Sequence, residues 1–128
     1  MGRRQVLKIP GVTHGKAPIP LAVKIGNMVY SSALMGKDPA TNALPEDPAM
    51  EIEWLFRHVR TLMEAAGGTT GDIIKMNVLL KDESLREKIN EEWVAMFPDE
   101  NDRPARHITV ADLHGGARAQ IELVAVLE

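Results

Sequence analysis

DPAMEIEWLFRHVRTLMEAAGGTTGDIIKMNVLL, residues 47–80, changes its hydrophobic period midway. Asp47-Pro48 reads as a helix start. Aspartate accepts hydrogen bonds from the free N–H groups of a first turn, and the fixed φ of proline suits the first helical position. At one residue per 100°, Ile52, Leu55, Val59, Leu62, Met63 and Ala66 share one face, while Glu53, Arg57, Arg60 and Glu64 gather opposite. The spacing predicts a helix to about Ala66, stopped by Gly67-Gly68. From Asp72 to Leu80 the run is β-rich, with Lys75 and Asn77 alternating against Ile74, Met76 and Val78. A one-sided helix followed at once by a strand is the pattern of a helix lying on a sheet.

Toward the N-terminus, Met28–Ser32 reads as a strand and Ala22–Ile25 as its partner, joined by the two-residue hairpin signal Gly26-Asn27. Gln5–Ile9 is a further short strand, ended by Pro10-Gly11. Residues 10–20 are an irregular segment rich in Gly and Pro, and Gly36–Asp47 is a loop punctuated by Pro39, Asn42 and Pro45. Toward the C-terminus, Ser84-Leu85-Arg86-Glu87 has the form of a capping box. It opens a second helix in which Leu85, Ile89, Trp93, Met96 and Phe97 recur at helical spacing. Ala105–Ala111 and Ala119–Leu127 are strands, separated by the turn His114-Gly115-Gly116. The order β, β, β, α, β, α, β, β predicts one α+β domain over residues 1–128: a mixed six-stranded sheet with both helices on one face.

Composition narrows the chemistry. Hydrophobic residues are 45% and charged residues 26%, as in ordinary globular domains. The absence of cysteine removes thiol nucleophiles, disulfides and thiolate zinc sites. A net charge of −3, no basic run and 4% aromatic residues argue against a nucleic-acid surface. No apolar run is long enough to cross a membrane, and no apolar signal segment follows the basic start Met1-Gly2-Arg3-Arg4. A cytoplasmic enzyme or binding domain without membrane or nucleic-acid partners is expected. Gly67, Gly68 and Gly71 precede a strand rather than a helix, so they form no known phosphate loop. The histidines at 14, 58, 107 and 114 lack metal-ligand spacing. His58 lies at helical spacing from Trp54 and Glu51, a patch expected to be structural.

A set of short segments carries more. They are Gly26–Ser32, Glu64-Ala65-Ala66-Gly67, Asp72-Ile73-Ile74-Lys75, Lys81-Asp82, Asn90, Arg103-Pro104-Ala105-Arg106 and Ile121-Glu122. In order and spacing, across about residues 17–127, they resemble the RidA (YjgF) family of imine and enamine deaminases. The resemblance implies a chorismate-mutase-like fold. It implies a homotrimer whose sheets face a central barrel, with ligand sites in the clefts between subunits. The implied reaction is hydrolysis of a 2-imino or 2-enamino acid to the 2-keto acid and ammonia, with no metal or organic cofactor.

The resemblance also assigns residues. Arg106 matches the arginine that grips the substrate carboxylate, a task suited to a planar, permanently charged fork. Strand alternation puts Ile108 on the face of Arg106 and His107 on the other. Ile108 replaces a common cysteine, yet its backbone N–H remains a donor. Ser32 matches a family serine; Ala33 and Leu34 stand where glycine and glutamine are common. Gln120 aligns with the glutamate that positions the attacking water, and an amide orients a water without taking its proton. The family tyrosine of the N-terminal segment has no counterpart: Ile19–Leu21 occupy that stretch. His114 follows Leu113 where proline is common, and a histidine there would supply acid–base chemistry near neutral pH. Asn90 matches an asparagine near the site.

The expected catalytic set is therefore Arg106, Gln120 and His114, with Ser32, Ala33, Ile108, Asn90 and Ile19 binding substrate and no metal. Two readings stay open. One is a divergent or pathway-specialised deaminase. The other is a non-catalytic protein of the same family that binds small carboxylates.

Overall fold

Seven strands form one mixed sheet and two helices cover one of its faces in the computed structural model, which describes residues 2–128. The strands are β1 (Gln5–Leu7), β2 (Ala22–Ile25), β3 (Met28–Ser31), β4 (Leu34–Met35), β5 (Ile73–Leu80), β6 (Ala105–Val110) and β7 (Ala119–Val126). The helices are α1 (Pro48–Ala65) and α2 (Arg86–Met96). Strands lie in the order β1-β2-β3-β7-β5-β6, and β4 also pairs with β7. The parallel pair is β5–β6, whose connection runs through α2, as a parallel crossover requires. The sheet of one chain is open, with β1 and β6 as its edges.

The expected α+β architecture holds, with one strand more than six. β4 has two residues, too few for any periodicity to announce it. The β2–β3 hairpin turns at Gly26-Asn27 as expected, and only Gly26 takes a positive φ, 57°. Asp47 caps α1 by accepting from the Ala49 N–H at 3.0 Å. At the other end Gly67 and Gly68 donate to the carbonyls of Glu64 and Met63 at 3.0 and 2.9 Å, the paired bonds of a Schellman stop. All six residues of the predicted apolar face of α1 are buried.

α2 starts differently from expectation. Asp82, not Ser84, is the capping side chain, accepting from the Ser84 N–H at 2.9 Å and from the Ser84 hydroxyl. Glu83–Leu85 form a single 3-10 turn, and α2 begins at Arg86 without a side-chain cap. The Ser84 hydroxyl, turned back to donate to Asp82, is thereby drawn away from the helix N–H groups it would cap.

Alternation along β7 separates the two faces of the sheet. Ala119, Ile121, Leu123 and Ala125 are buried beneath the helices; Gln120, Glu122, Val124 and Val126 point the other way. That second face is uncovered and carries Val23, Ile25, Met28 and Tyr30, the last 54% exposed. No helix is long and apolar enough to cross a membrane.

Two polar groups are buried with the core. Glu51, on the first turn of α1, accepts from the Arg118 N–H at 2.8 Å and from its Nε at 2.6 Å. Arg118 also donates to the carbonyls of Glu46, at 2.7 Å, and Pro45. One guanidinium thus ties the approach to α1 to the entry of β7. Gly36 belongs to this arrangement, because a Cβ there would overlap the Glu51 carbonyl. The second group is His58, which donates from Nε2 to the Lys37 carbonyl at 2.6 Å and stacks on Trp54 at 5.7 Å. A carbonyl only accepts, so Nε2 carries the proton.

Two outcomes are expected. Arg118→Ala leaves a buried carboxylate unpaired and lowers unfolding stability by about 3 kcal/mol or more, as read by denaturant titration. Burial holds the His58 pKa below its ordinary value of 6.5, against the opposing effects of the Lys37 carbonyl and Asp38. The folded state therefore keeps His58 neutral while the unfolded chain takes up the proton. Stability from this group is full above pH 6.5 and declines as pH falls below it. His58→Gln should flatten that part of the stability-against-pH curve.

Candidate functional site

Arg106 is the second residue of the edge strand β6. It pairs with Met76 in β5, which pairs with Leu123 in β7, so all three side chains leave the sheet on the helix side. There the Arg106 guanidinium lies over the Trp93 ring of α2, 4.8 Å from its centroid. Trp93 is braced edge-on by Phe97 at 4.8 Å. This stacking fixes the direction of a long, flexible side chain. Nη1 of Arg106 is buried and has no hydrogen-bond partner. Burial, and after it the positive charge of Arg86, hold the pKa of Arg106 below its ordinary value. The guanidinium nonetheless stays charged at any working pH. A buried unpaired donor costs about 1–3 kcal/mol, and a carboxylate would relieve that cost. Ile108 follows on the same face and packs against the core, while His107 lies exposed on the other face, as alternation predicts. Asn90 is exposed, one turn before Trp93 on α2.

A second group lies beyond β5 and β7, around the short link between β3 and β4. The Ser32 N–H donates to the Leu21 carbonyl and its hydroxyl to the Pro20 carbonyl, both at 2.8 Å. The hydroxyl proton is thereby occupied in holding the chain beside Ile19. The Ala33 carbonyl accepts from Nε2 of His14 at 2.7 Å. His14 escaped the sequence reading because it sits in an irregular segment where no period marks a contact. Its Nδ1 is buried and has no hydrogen-bond partner. Lys37 adds a further tie, donating from Nζ to the Thr13 carbonyl at 2.9 Å. Ile19, 49% exposed, and His14 share the lining of a cavity of about 640 Å³ bounded by β1 and the segment that follows it.

Gln120 is on β7, in register with Leu79 and Met35, and points to the uncovered face. It therefore faces away from Arg106, with β5 between their strands. His114 is exposed in a 3-10 turn, and its ring makes no hydrogen bond among the described residues. A single chain accordingly gathers Arg106, Ile108 and Asn90 at one edge. Ile19, Ser32 and Ala33 sit on the far side of β7, and Gln120 is on the opposite face. Among the described residues no three His, Asp or Glu side chains are grouped to hold a metal.

Comparison with known proteins identifies the family of the fold. Residues 16–127 match the family model described as endoribonuclease L-PSP. The 2-iminobutanoate/2-iminopropanoate deaminase of Salmonella typhimurium is 34% identical over 111 residues, covering 85% of this chain and 87% of the relative. The crystal structure of RidA from an Antarctic Psychrobacter superposes with a TM-score of 0.86 at 34% identity, covering 97% of this chain and 100% of the other. Escherichia coli TdcF, solved with bound serine, superposes with a TM-score of 0.86 at 26% identity, covering 97% of this chain and 99% of the other. The fold, the matched residues and these relatives together establish that the chain belongs to the endoribonuclease L-PSP family, that of the RidA and YjgF proteins.

Proposed function

We propose that this protein hydrolyses small 2-imino or 2-enamino acids to 2-keto acids and ammonia, with Arg106 clamping the substrate carboxylate. The observation that carries the reading is the unpartnered, buried Nη1 of an arginine stacked on Trp93. The deaminase names of relatives at 28–34% identity support the same class of reaction.

The chemistry asks little of the protein. An enamine first takes a proton at carbon and loses one from nitrogen, becoming the imine. Water then adds to the imine carbon, forming a C–O bond, while the imine nitrogen takes up a proton. The C–N bond breaks, ammonia leaves, and the remaining hydroxyl proton is lost to give the keto acid. The substrate nitrogen is itself basic, so a group that orients the water is sufficient. Gln120 fits that role, since its amide can hold a water but cannot take its proton. His114 is the exposed imidazole proposed to exchange protons with the site.

The site is proposed to be completed between subunits of a homotrimer whose uncovered sheet faces meet. Two observations support this. Arg106 and the Ile19–Ala33 group lie on either side of β5 and β7, and the face bearing Gln120, Tyr30 and Met28 has no cover in one chain. Gln120 favours the second reading as well, a carboxylate-binding protein without turnover.

Imines generated in place from amino acids by an amino-acid oxidase separate the two. Losing a two-point, charge-assisted contact costs about 3 kcal/mol, so Arg106→Ala should lower kcat/KM by roughly 100-fold. Gln120→Glu should raise turnover, because it adds a group able to take a proton. Imine hydrolysis that survives Arg106→Ala would refute the clamp. An inert wild type that binds 2-keto acids through Arg106 would make the binding reading the correct one.

A further inference from the structure

We infer that the Arg106 site takes an imino or enamino acid bearing a second negative group, with Arg86 as the anchor for that group. This rests on the carboxylate-clamp reading of Arg106 and adds to it a substrate class, the imines of acidic amino acids.

The placement of Arg86 follows from helical geometry. At 100° per residue, Arg86, Trp93 and Phe97 fall within roughly 20° of one line along α2. Trp93 is fixed on that line beneath the Arg106 guanidinium. Arg86 therefore faces the same space, about 10 Å nearer the helix start. Helical side chains lean toward the N-terminus, so Arg86 and the Trp93 ring tilt the same way and keep that separation. Asn90 projects beside this line, exposed, and supplies a neutral donor and acceptor between the two charges.

The charges around the line have an unusual balance. The charged group that perturbs Arg106 is Arg86, a like charge. Two of the three acids of α2 turn elsewhere: Glu91 and Glu92 reach Lys88 at 3.3 Å, and Glu53 of α1 reaches it at 3.6 Å. Lys88 lies roughly 200° around the helix from Arg86. The carboxylate that touches Arg86 is Glu83, bonded to Nε at 2.8 Å and Nη2 at 3.0 Å. That pair is exposed, with side chains 42% and 65% accessible. Exposed pairs of this kind are screened by water and hold weakly, so a substrate carboxylate can displace Glu83 at little cost. Nη1 of Arg86 makes no hydrogen bond among the described residues. Each guanidinium thus keeps one terminal nitrogen without a protein acceptor, and a short diacid would satisfy both.

The test compares imines formed in place from aspartate and glutamate with those formed from leucine and methionine, on wild type, Arg86→Gln and Arg106→Ala. The readout is the ratio of kcat/KM for diacid over monoacid imines. One hydrogen-bonded charge contact is worth about tenfold or more, so the ratio should fall by that factor in Arg86→Gln. An unchanged ratio overturns the assignment of Arg86. Loss of all hydrolysis in Arg106→Ala combined with an unchanged ratio in Arg86→Gln keeps the clamp and removes only this inference. Hydrolysis that persists in Arg106→Ala refutes the clamp itself. Titration with oxaloacetate, a diacid product, gives a readout that needs no turnover: Kd should rise about tenfold in Arg86→Gln, and an equal Kd counts against the inference.

Discussion

The alternation of side chains along β7 constrains most of what this molecule can do. β7 pairs with β3 and β4 on one side and β5 on the other, so its register is passed directly to three strands and through β3 and β5 to the rest of the sheet. Ala119, Ile121, Leu123 and Ala125 must meet the helices, because a one-residue slip would bury Gln120 and Glu122 instead. Through Met76 the same register decides the side on which Arg106 emerges. It also decides that Gln120 emerges on the other. The separation of these two residues is thus a consequence of core packing. It is also the reason that the proposed chemistry requires a second subunit.

Helix α1 is held to this sheet by more than its apolar face. Arg118 stands immediately before β7 and reaches back to the buried carboxylate of Glu51 and to the Pro45 and Glu46 carbonyls. His58, about two turns further along the buried side, fastens the Lys37 carbonyl. Both contacts close the 36–47 loop over the helix. That loop follows β4, whose pairing with β7 positions the link carrying Ser32 and Ala33. A network made for stability therefore also sets the geometry of one half of the candidate site.

The parts of this fold that repeat were legible in the sequence. The apolar stripe of α1, its aspartate cap, its glycine stop and the alternation in β7 all follow local rules that tertiary packing did not override, whereas in β5 the expected alternation holds only from Lys75 on, because a register shift between Ile73 and Lys75 buries Ile73 and leaves Ile74 50% exposed. Arg106 and Ile108 share a face because period two is geometric. What repeats nothing was hidden. β4 is two residues long. Glu51 stands at helical spacing from His58, but its partner Arg118, distant in sequence, is not announced by any local pattern. His14 meets Ala33 across two irregular segments. The capping box at Ser84 yielded to Asp82, a local competition between two acceptors that spacing alone does not decide. The family resemblance supplied Arg106 and Gln120 as a pair, and the structure added that one chain keeps them apart.

The account turns on Arg106 meeting a carboxylate at a site shared between subunits. The most direct measurement is a crystal structure of the assembled protein with a bound 2-keto acid. The account predicts a carboxylate oxygen within hydrogen-bond distance of Arg106 Nη1, with the Ala33 link and Gln120 of a neighbouring copy lining the same cleft. Arg106 Nη1 bonded to a protein group of the neighbouring copy, with the keto acid elsewhere, would contradict it.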